Sequence, residues 1–140
     1  MKNKSELKID EWGTKIWLLN GEKHREDGPA FEYVNGTKCW YLNNELHRIN
    51  GPAIEWSNGS KEWWLNNKRH RKNGPAIENE DGSKYWYLNG KRHRTDGPAI
   101  EHVNGSKWWY LNGEKVKEED VIDFNPKITE REYLDFVINL

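Results

Sequence analysis

A histidine followed by an arginine recurs every 23 residues, as His24-Arg25, His47-Arg48, His70-Arg71 and His93-Arg94. Imidazole can serve as a general base or a metal ligand, and guanidinium binds phosphate or carboxylate through paired donors. Catalysis needs one asymmetric constellation. A feature copied four times is a repeat-holding contact or a binding strip. No Ser-His-Asp arrangement, phosphate loop or metal motif accompanies the ladder. The chain is therefore not expected to be an enzyme, and no catalytic residue is assigned. Successive histidines would lie three strands apart, about 14 Å at ~4.8 Å per strand. Ligand bonds of about 2 Å cannot span that gap, so neither a metal nor another cofactor is expected.

Two sets of residues remain as candidates for binding. The arginines Arg48, Arg71 and Arg94 could form an anion-binding strip, helped by the basic runs Lys68–Lys72 and Lys91–Arg94. The plainer reading has each His packing on a Trp and each Arg reaching a Glu, such as Arg48 with Glu32 or Glu55, in pairs worth roughly 0.2–1 kcal/mol. The row Tyr41, Trp64, Tyr87 and Tyr110 is the second set. Aromatics beside arginine stack on nucleotide bases, and they also make protein-interface hot spots. The residues leave both open. A partner protein on this face is the first reading, a small nucleotide-like ligand the second, and a purely structural array the third.

The element that positions these residues is a repeat. Trp17, Trp40, Trp63, Trp86 and Trp109 are spaced by 23 residues throughout. A fixed period in that range is the signature of a repeat array. Each unit carries an Asn-Gly or Asp-Gly pair (Asn35-Gly36, Asn58-Gly59, Asp81-Gly82, Asn104-Gly105), a second Asn pair (Asn20-Gly21, Asn43-Asn44, Asn66-Asn67, Asn89-Gly90, Asn112-Gly113) and a Gly-Pro break. Both Asn pairs fit two-residue type I′ turns. Three short strands per repeat follow. Closing a turn at Asn35-Gly36 sets Phe31 opposite Trp40 and Glu32 opposite Cys39. Closing one at Asn43-Asn44 sets Leu46 opposite Tyr41, His47 opposite Trp40 and Arg48 opposite Cys39. By alternation, Phe31, Trp40, Leu42 and His47 then share the core face, and Ala30, Glu32, Tyr41 and Arg48 share the other. The predicted repeat core is thus Trp17, Trp40, Trp63, Trp86 and Trp109 with His24, His47, His70 and His93.

The expected fold class is all-β, a single-layer antiparallel meander of about four and a half repeats, curled by its own twist, with a short C-terminal helical cap. Residues 1–11 read as a polar lead-in, 12–113 as the array and 114–140 as the cap. Thr129 and Glu132 match a capping box ahead of Leu134, Phe136 and Val137, and Lys117–Phe124 reads as another helix. Terminal units of such arrays must cover an exposed edge.

Composition agrees with a core of few, large residues. Hydrophobic residues are 34% of the chain, yet nine Trp, six Tyr and three Phe make it 13% aromatic. A net charge of −1 argues against non-specific nucleic-acid binding. One cysteine, Cys39, fits a reducing compartment. It fills a position held by Glu62, Tyr85 and Trp108 in later repeats, which argues against a reactive role. No apolar run long enough to span a membrane and no signal peptide is visible. A cytoplasmic protein is expected.

The 23-residue period and the run Trp86–His93 (WYLNGKRH) resemble the membrane occupation and recognition nexus (MORN) repeat family. The units are closer still to a variant with "LNGKxHRxDGPA" repeats found in phages and giant viruses, related to bacterial proteins described as antitoxin components. The resemblance covers about residues 12–113. Two features depart from the MORN pattern: Arg25, Arg48, Arg71 and Arg94 stand where Gly follows the His, and the Gly-Pro-Ala segment lies outside it. The resemblance implies a binding or scaffolding module, acting in a host-cell cytoplasm if phage-encoded, without a defined activity.

Overall fold

The computed structural model describes residues 4–124. The capping box at Thr129–Glu132 and the apolar residues after it lie outside them. The fold is all-β, an antiparallel meander of repeats with one short helix after the last strand. It divides into two compact units, Met1–Arg69 and His70–Leu140.

The first unit carries β1 (Glu6–Ile9), β2 (Lys15–Leu19), β3 (Glu22–Lys23), β4 (Phe31–Glu32), β5 (Lys38–Cys39), β6 (Tyr41–Leu42), β7 (Glu45–Leu46), β8 (Ile54–Glu55), β9 (Lys61–Glu62), β10 (Trp64–Leu65) and β11 (Lys68–Arg69). Its main ladder runs β1-β2-β4-β5-β8-β9, and β6-β7 and β10-β11 form separate hairpins. The second unit carries β12 (Ile77–Glu78), β13 (Lys84–Tyr85), β14 (Tyr87–Leu88), β15 (Lys91–Arg92), β16 (Ile100–Glu101), β17 (Lys107–Leu111), β18 (Glu114–Val116) and α1 (Glu118–Phe124). Its ladder runs β12-β13-β16-β17-β18, with β14-β15 as a separate hairpin. Helix α1 packs on β17, and its Val121 is buried.

The separate hairpins arise because the chain passes from one ladder to another at Trp40, Trp63 and Trp86, which belong to no strand. Strand β2 shows the same division without a break. Its first half pairs with β4 (Ile16↔Phe31) and its second half with β3 (Leu18↔Lys23). Trp17, Trp40 and Trp86 each donate their N–H to an alanine carbonyl, Ala30, Ala53 and Ala99. Trp40 N–H donates to Ala53 O and Ala53 N–H to Glu62 O, both at 2.8 Å. Ala30, Ala53, Ala76 and Ala99 are all fully buried at 0% exposure, so no larger side chain fits these positions.

The two turns of each repeat differ in kind. At Asn43 and Asn44 φ is 50° and 64°, the type I′ turn expected of two residues with positive φ. Leu46 lies opposite Tyr41 as predicted, and His47 N–H donates to Trp40 O. At Asn35-Gly36 only Gly36 has positive φ, 92°. Tyr33 N–H donates to Thr37 O, Gly36 N–H to Tyr33 O, and the Asn35 carboxamide accepts from Thr37 N–H at 2.9 Å. This is a three-residue loop ending in a left-handed glycine, stabilised by an Asx contact.

That loop moves the register by one residue. Phe31 pairs with Cys39 and Glu32 with Lys38, not with Trp40 and Cys39. A slip of one sends every side chain to the other face. Phe31 accordingly leaves the Trp40 side and packs against Tyr33 and Tyr41, with ring centroids 5.8 and 5.7 Å away. The expected opposition of Arg48 and Cys39 is absent too. Cys39 pairs with Ile54 in the ladder, while Arg48 N–H donates to Trp64 O of the next hairpin.

Candidate functional site

The His-Arg ladder sits inside the repeat contacts. Nδ1 of His47, His70 and His93 accepts the backbone N–H of Asn66, Asn89 and Asn112 at 3.0 Å, and His24 accepts that of Asn43 at 3.1 Å. A backbone N–H can only donate, so in this contact His47 and His93 carry the ring proton on Nε2; Nδ1 of His24 lies 3.1 Å from the Asn43 carboxamide oxygen as well. Each histidine thereby pins the turn of the following hairpin. His24, His70 and His93 are buried. Burial pushes the His93 imidazolium down to about 4, and lowers that of His70, with Lys72 adding to the effect and the Asn89 contact opposing it.

Arg25, Arg48 and Arg94 each stack on the tryptophan of their own repeat. The guanidinium carbon lies 3.9 Å from the Trp17 ring centroid for Arg25, 3.8 Å from Trp40 for Arg48 and 3.9 Å from Trp86 for Arg94. Trp40 and Arg48 thus share a face, contrary to the alternation expected from the sequence. The same guanidinium bonds outward in two directions. Arg48 donates to Pro52 O and Glu55 at 3.0 Å, and Arg71 to Pro75 O at 3.0 Å and Glu78 at 2.9 Å. Of the two acidic partners expected for Arg48, Glu55 is the one engaged. The tryptophans are half-buried beneath these arginines rather than enclosed.

The Gly-Pro-Ala segment has its explanation here. A Cβ built on Gly28, Gly51, Gly74 or Gly97 would lie 2.8–3.0 Å from the guanidinium carbon of Arg25, Arg48, Arg71 or Arg94. Glycine lets the guanidinium lie close over the backbone, and a Cβ there would have to push it aside. Gly51→Ala is expected to displace Arg48 from Trp40 and cost about 1–3 kcal/mol, the usual range for overpacking. Thermal unfolding of the variant checks this.

The aromatic row lies on different ground. Within each unit it is interleaved with residues that change from repeat to repeat. In the first unit Glu62 is the hub: it accepts from Trp56 Nε1 and Trp64 Nε1 at 3.1 Å and from Arg69 Nε at 3.2 Å. Arg69 also covers Trp64, 4.7 Å from its centroid, and Lys23 Nζ lies 4.9 Å from that of Tyr41. Burial raises the Tyr41 phenol and pushes the Cys39 thiol up to about 11, so this cysteine is no nucleophile at neutral pH.

In the second unit Arg92 takes the corresponding place. It donates to the Tyr87 hydroxyl at 3.3 Å and lies 5.3 Å from the Tyr110 centroid. His102 stands edge-on between Tyr85 and Trp108, with centroids 5.5 and 5.0 Å away. Lys115 Nζ is 5.9 Å from the Trp108 centroid. Among the described residues, Arg92 and Lys115 pair with no carboxylate, whereas Arg69 is matched by Glu62. The sequence pointed to Tyr41, Trp64, Tyr87 and Tyr110, and to Arg69 and Arg92 only as parts of basic runs, but not to Lys23, Glu62, Trp108 and Lys115. The Tyr41–Leu46 register already contained the signal, because it places Arg69 opposite Trp64 and Arg92 opposite Tyr87.

Among the described residues no group of three or more His, Cys, Asp or Glu is placed to hold a metal ion, and no helix is long and apolar enough to cross a membrane. No protein-family model matches the chain, and no curated protein is significantly similar to it.

Proposed function

We propose that this protein is a non-catalytic repeat module that binds a partner protein through the aromatic rows of its units, Tyr41 and Trp64 in the first and Tyr87 and Tyr110 in the second. One observation carries the reading. The residues that hold the repeats together (His, Arg, Trp, Gly-Pro-Ala) are nearly the same in every unit. Those around the aromatic row differ: Tyr33, Trp56, Asn79 and His102 at one position, Cys39, Glu62, Tyr85 and Trp108 at the next, Lys23, Leu46, Arg69, Arg92 and Lys115 at a third. A scaffold alone has no need of that variety. Tyr, Trp and Arg are also the residues that dominate interface energetics, and Tyr33 and Trp56 are 42% and 44% exposed. Arg48, Arg71 and Arg94, drawn toward the same role by their charge, serve the scaffold instead.

A second reading, a small nucleotide-like ligand, is favoured by Arg92 and Lys115, which pair with no carboxylate among the described residues, beside Tyr110 and Trp108. The resemblance to viral and MORN-type repeats suggests a phage-borne protein acting on a host component in the cytoplasm. A native mass spectrum of the protein from its own host cells tests both. A bound protein mass, lost in a Tyr87→Ala/Arg92→Ala variant that still melts normally, is the expected result. A bound mass of a few hundred daltons, lost in the same variant, would replace the partner protein with the ligand. A bare chain would leave the array as a passive structure.

A further inference from the structure

Strand β1 ends the first unit's ladder; among the described residues no strand pairs with its outer edge, and all four of its residues are exposed. Leu7 and Ile9 are 49% and 61% exposed. Asp10 N–H donates to Thr14 O next to the β1–β2 pairing. Antiparallel alternation then turns the backbone groups of Glu6 and Lys8 toward β2 and those of Leu7 and Ile9 toward the open edge. The side chains alternate as well, with Glu6 and Lys8 on one face and Leu7 and Ile9 on the other.

We propose that β1 pairs antiparallel with β1 of a second copy of this chain, with Leu7 on the two-fold axis. In this register the outward backbone groups of Leu7 bond to their own copies. Glu6 lies opposite the partner's Lys8, and Lys8 opposite the partner's Glu6. Opposite charges across a strand pair stabilise it, while like charges oppose it. Neither Glu6 nor Lys8 makes an ion pair among the described residues, so both are available.

The neighbouring registers are weaker. Centring on Lys8 sets two lysines face to face and offers backbone groups already turned toward β2. Centring on Ile9 sets Lys8 against Asp10, whose carboxylate is occupied by the N–H groups of Trp12 and Thr14 at 3.0 and 2.9 Å. A lysine on an edge strand normally guards it against foreign strands. Here Glu6 cancels that guard for the protein's own copy alone. The contact is short, so the dimer is reversible.

Sedimentation equilibrium of the full chain tests this. The wild type is expected to show a concentration-dependent dimer. Glu6→Lys and Lys8→Glu each place like charges opposite one another and are expected to weaken it at least tenfold. An equimolar mixture of the two variants is expected to dimerise again, because each then supplies what the other lacks. Leu7→Pro is expected to give a monomer with near-normal melting, since the lost N–H points outward and edge strands tolerate proline there. A wild type that stays monomeric at high concentration would overturn the proposal. So would a dimer that survives all three substitutions, or a variant mixture that remains monomeric.

Discussion

Replacing Arg94 with alanine is expected to destabilise the protein by about 3 kcal/mol, lowering Tm by about 10–15 °C for a domain of this size. The side chain is 19% exposed. Its guanidinium covers Trp86 at 3.9 Å and donates to Pro98 O at 3.1 Å and Glu101 at 2.9 Å. Hydrogen bonds to charged groups are worth about 1.5–3 kcal/mol, and a partly desolvated cation–π contact about 1–2 kcal/mol. The bond to Asp96, a residue 75% exposed, adds little. Truncation also leaves a gap over Gly97 and uncovers the tryptophan. Arg94→Lys should recover only a small part, because a lysine cannot lie flat on the ring while bonding in two directions. Urea titration of the three proteins measures this. An Arg94→Ala variant within 0.5 kcal/mol of wild type, a margin typical of ordinary surface changes, would show that the stack is not structural.

The second large effect is acid sensitivity in a window set by histidine. An unfolded histidine takes up its proton near pH 6.5. In the folded protein His93 does so only at about 4, and His70 also below its ordinary value. Between those limits the unfolded chain binds more protons, so stability falls as pH falls. The contribution is complete above about pH 6.5 and is lost by about pH 4. For His93, 5% exposed, it is on the order of 2–3 kcal/mol. Protonation costs the contact as well, since a ring with hydrogens on both nitrogens cannot accept the Asn112 N–H. Stability measured by denaturant from pH 7 to 4.5 should show this slope, and His93→Gln should flatten it. Equal slopes in both proteins would remove His93 as the cause.

The sequence is informative about this molecule wherever the period alone decides. The repeats, the antiparallel meander, the Asn43-Asn44 turn and the Arg48–Glu55 pair could all be read from it. The error began at one loop. Asn35-Gly36 has the composition of a two-residue turn, but its asparagine prefers to accept the Thr37 N–H and leaves positive φ to the glycine. The resulting one-residue shift returned Phe31 to the aromatic side. The change of ladder at Trp40 is the second reason. A strand that changes partner at its middle breaks simple alternation, so Trp40 and Arg48 could meet although their spacing placed them apart. No local pattern announces such a change. Fully buried alanines and glycines under arginine mark it only once the packing is known. For Arg48, Arg71 and Arg94 the sequence left two readings, an anion strip and pairing with glutamate. The contacts to Glu55, Glu78 and Glu101 and to the proline carbonyls, which charge alone does not reveal, favour the second.

Residues common to all repeats hold the array, and the variable aromatic residues are proposed to bind. The most direct measurement compares Tyr87→Ala/Arg92→Ala with Arg94→Ala, reading both Tm and the amount of partner that copurifies from host cells. The double variant should keep a Tm within a few degrees of wild type and lose its partner, while Arg94→Ala should lose stability first and retain its partner well below its Tm. Partner binding that persists in the double variant, or vanishes in folded Arg94→Ala alone, would contradict that division.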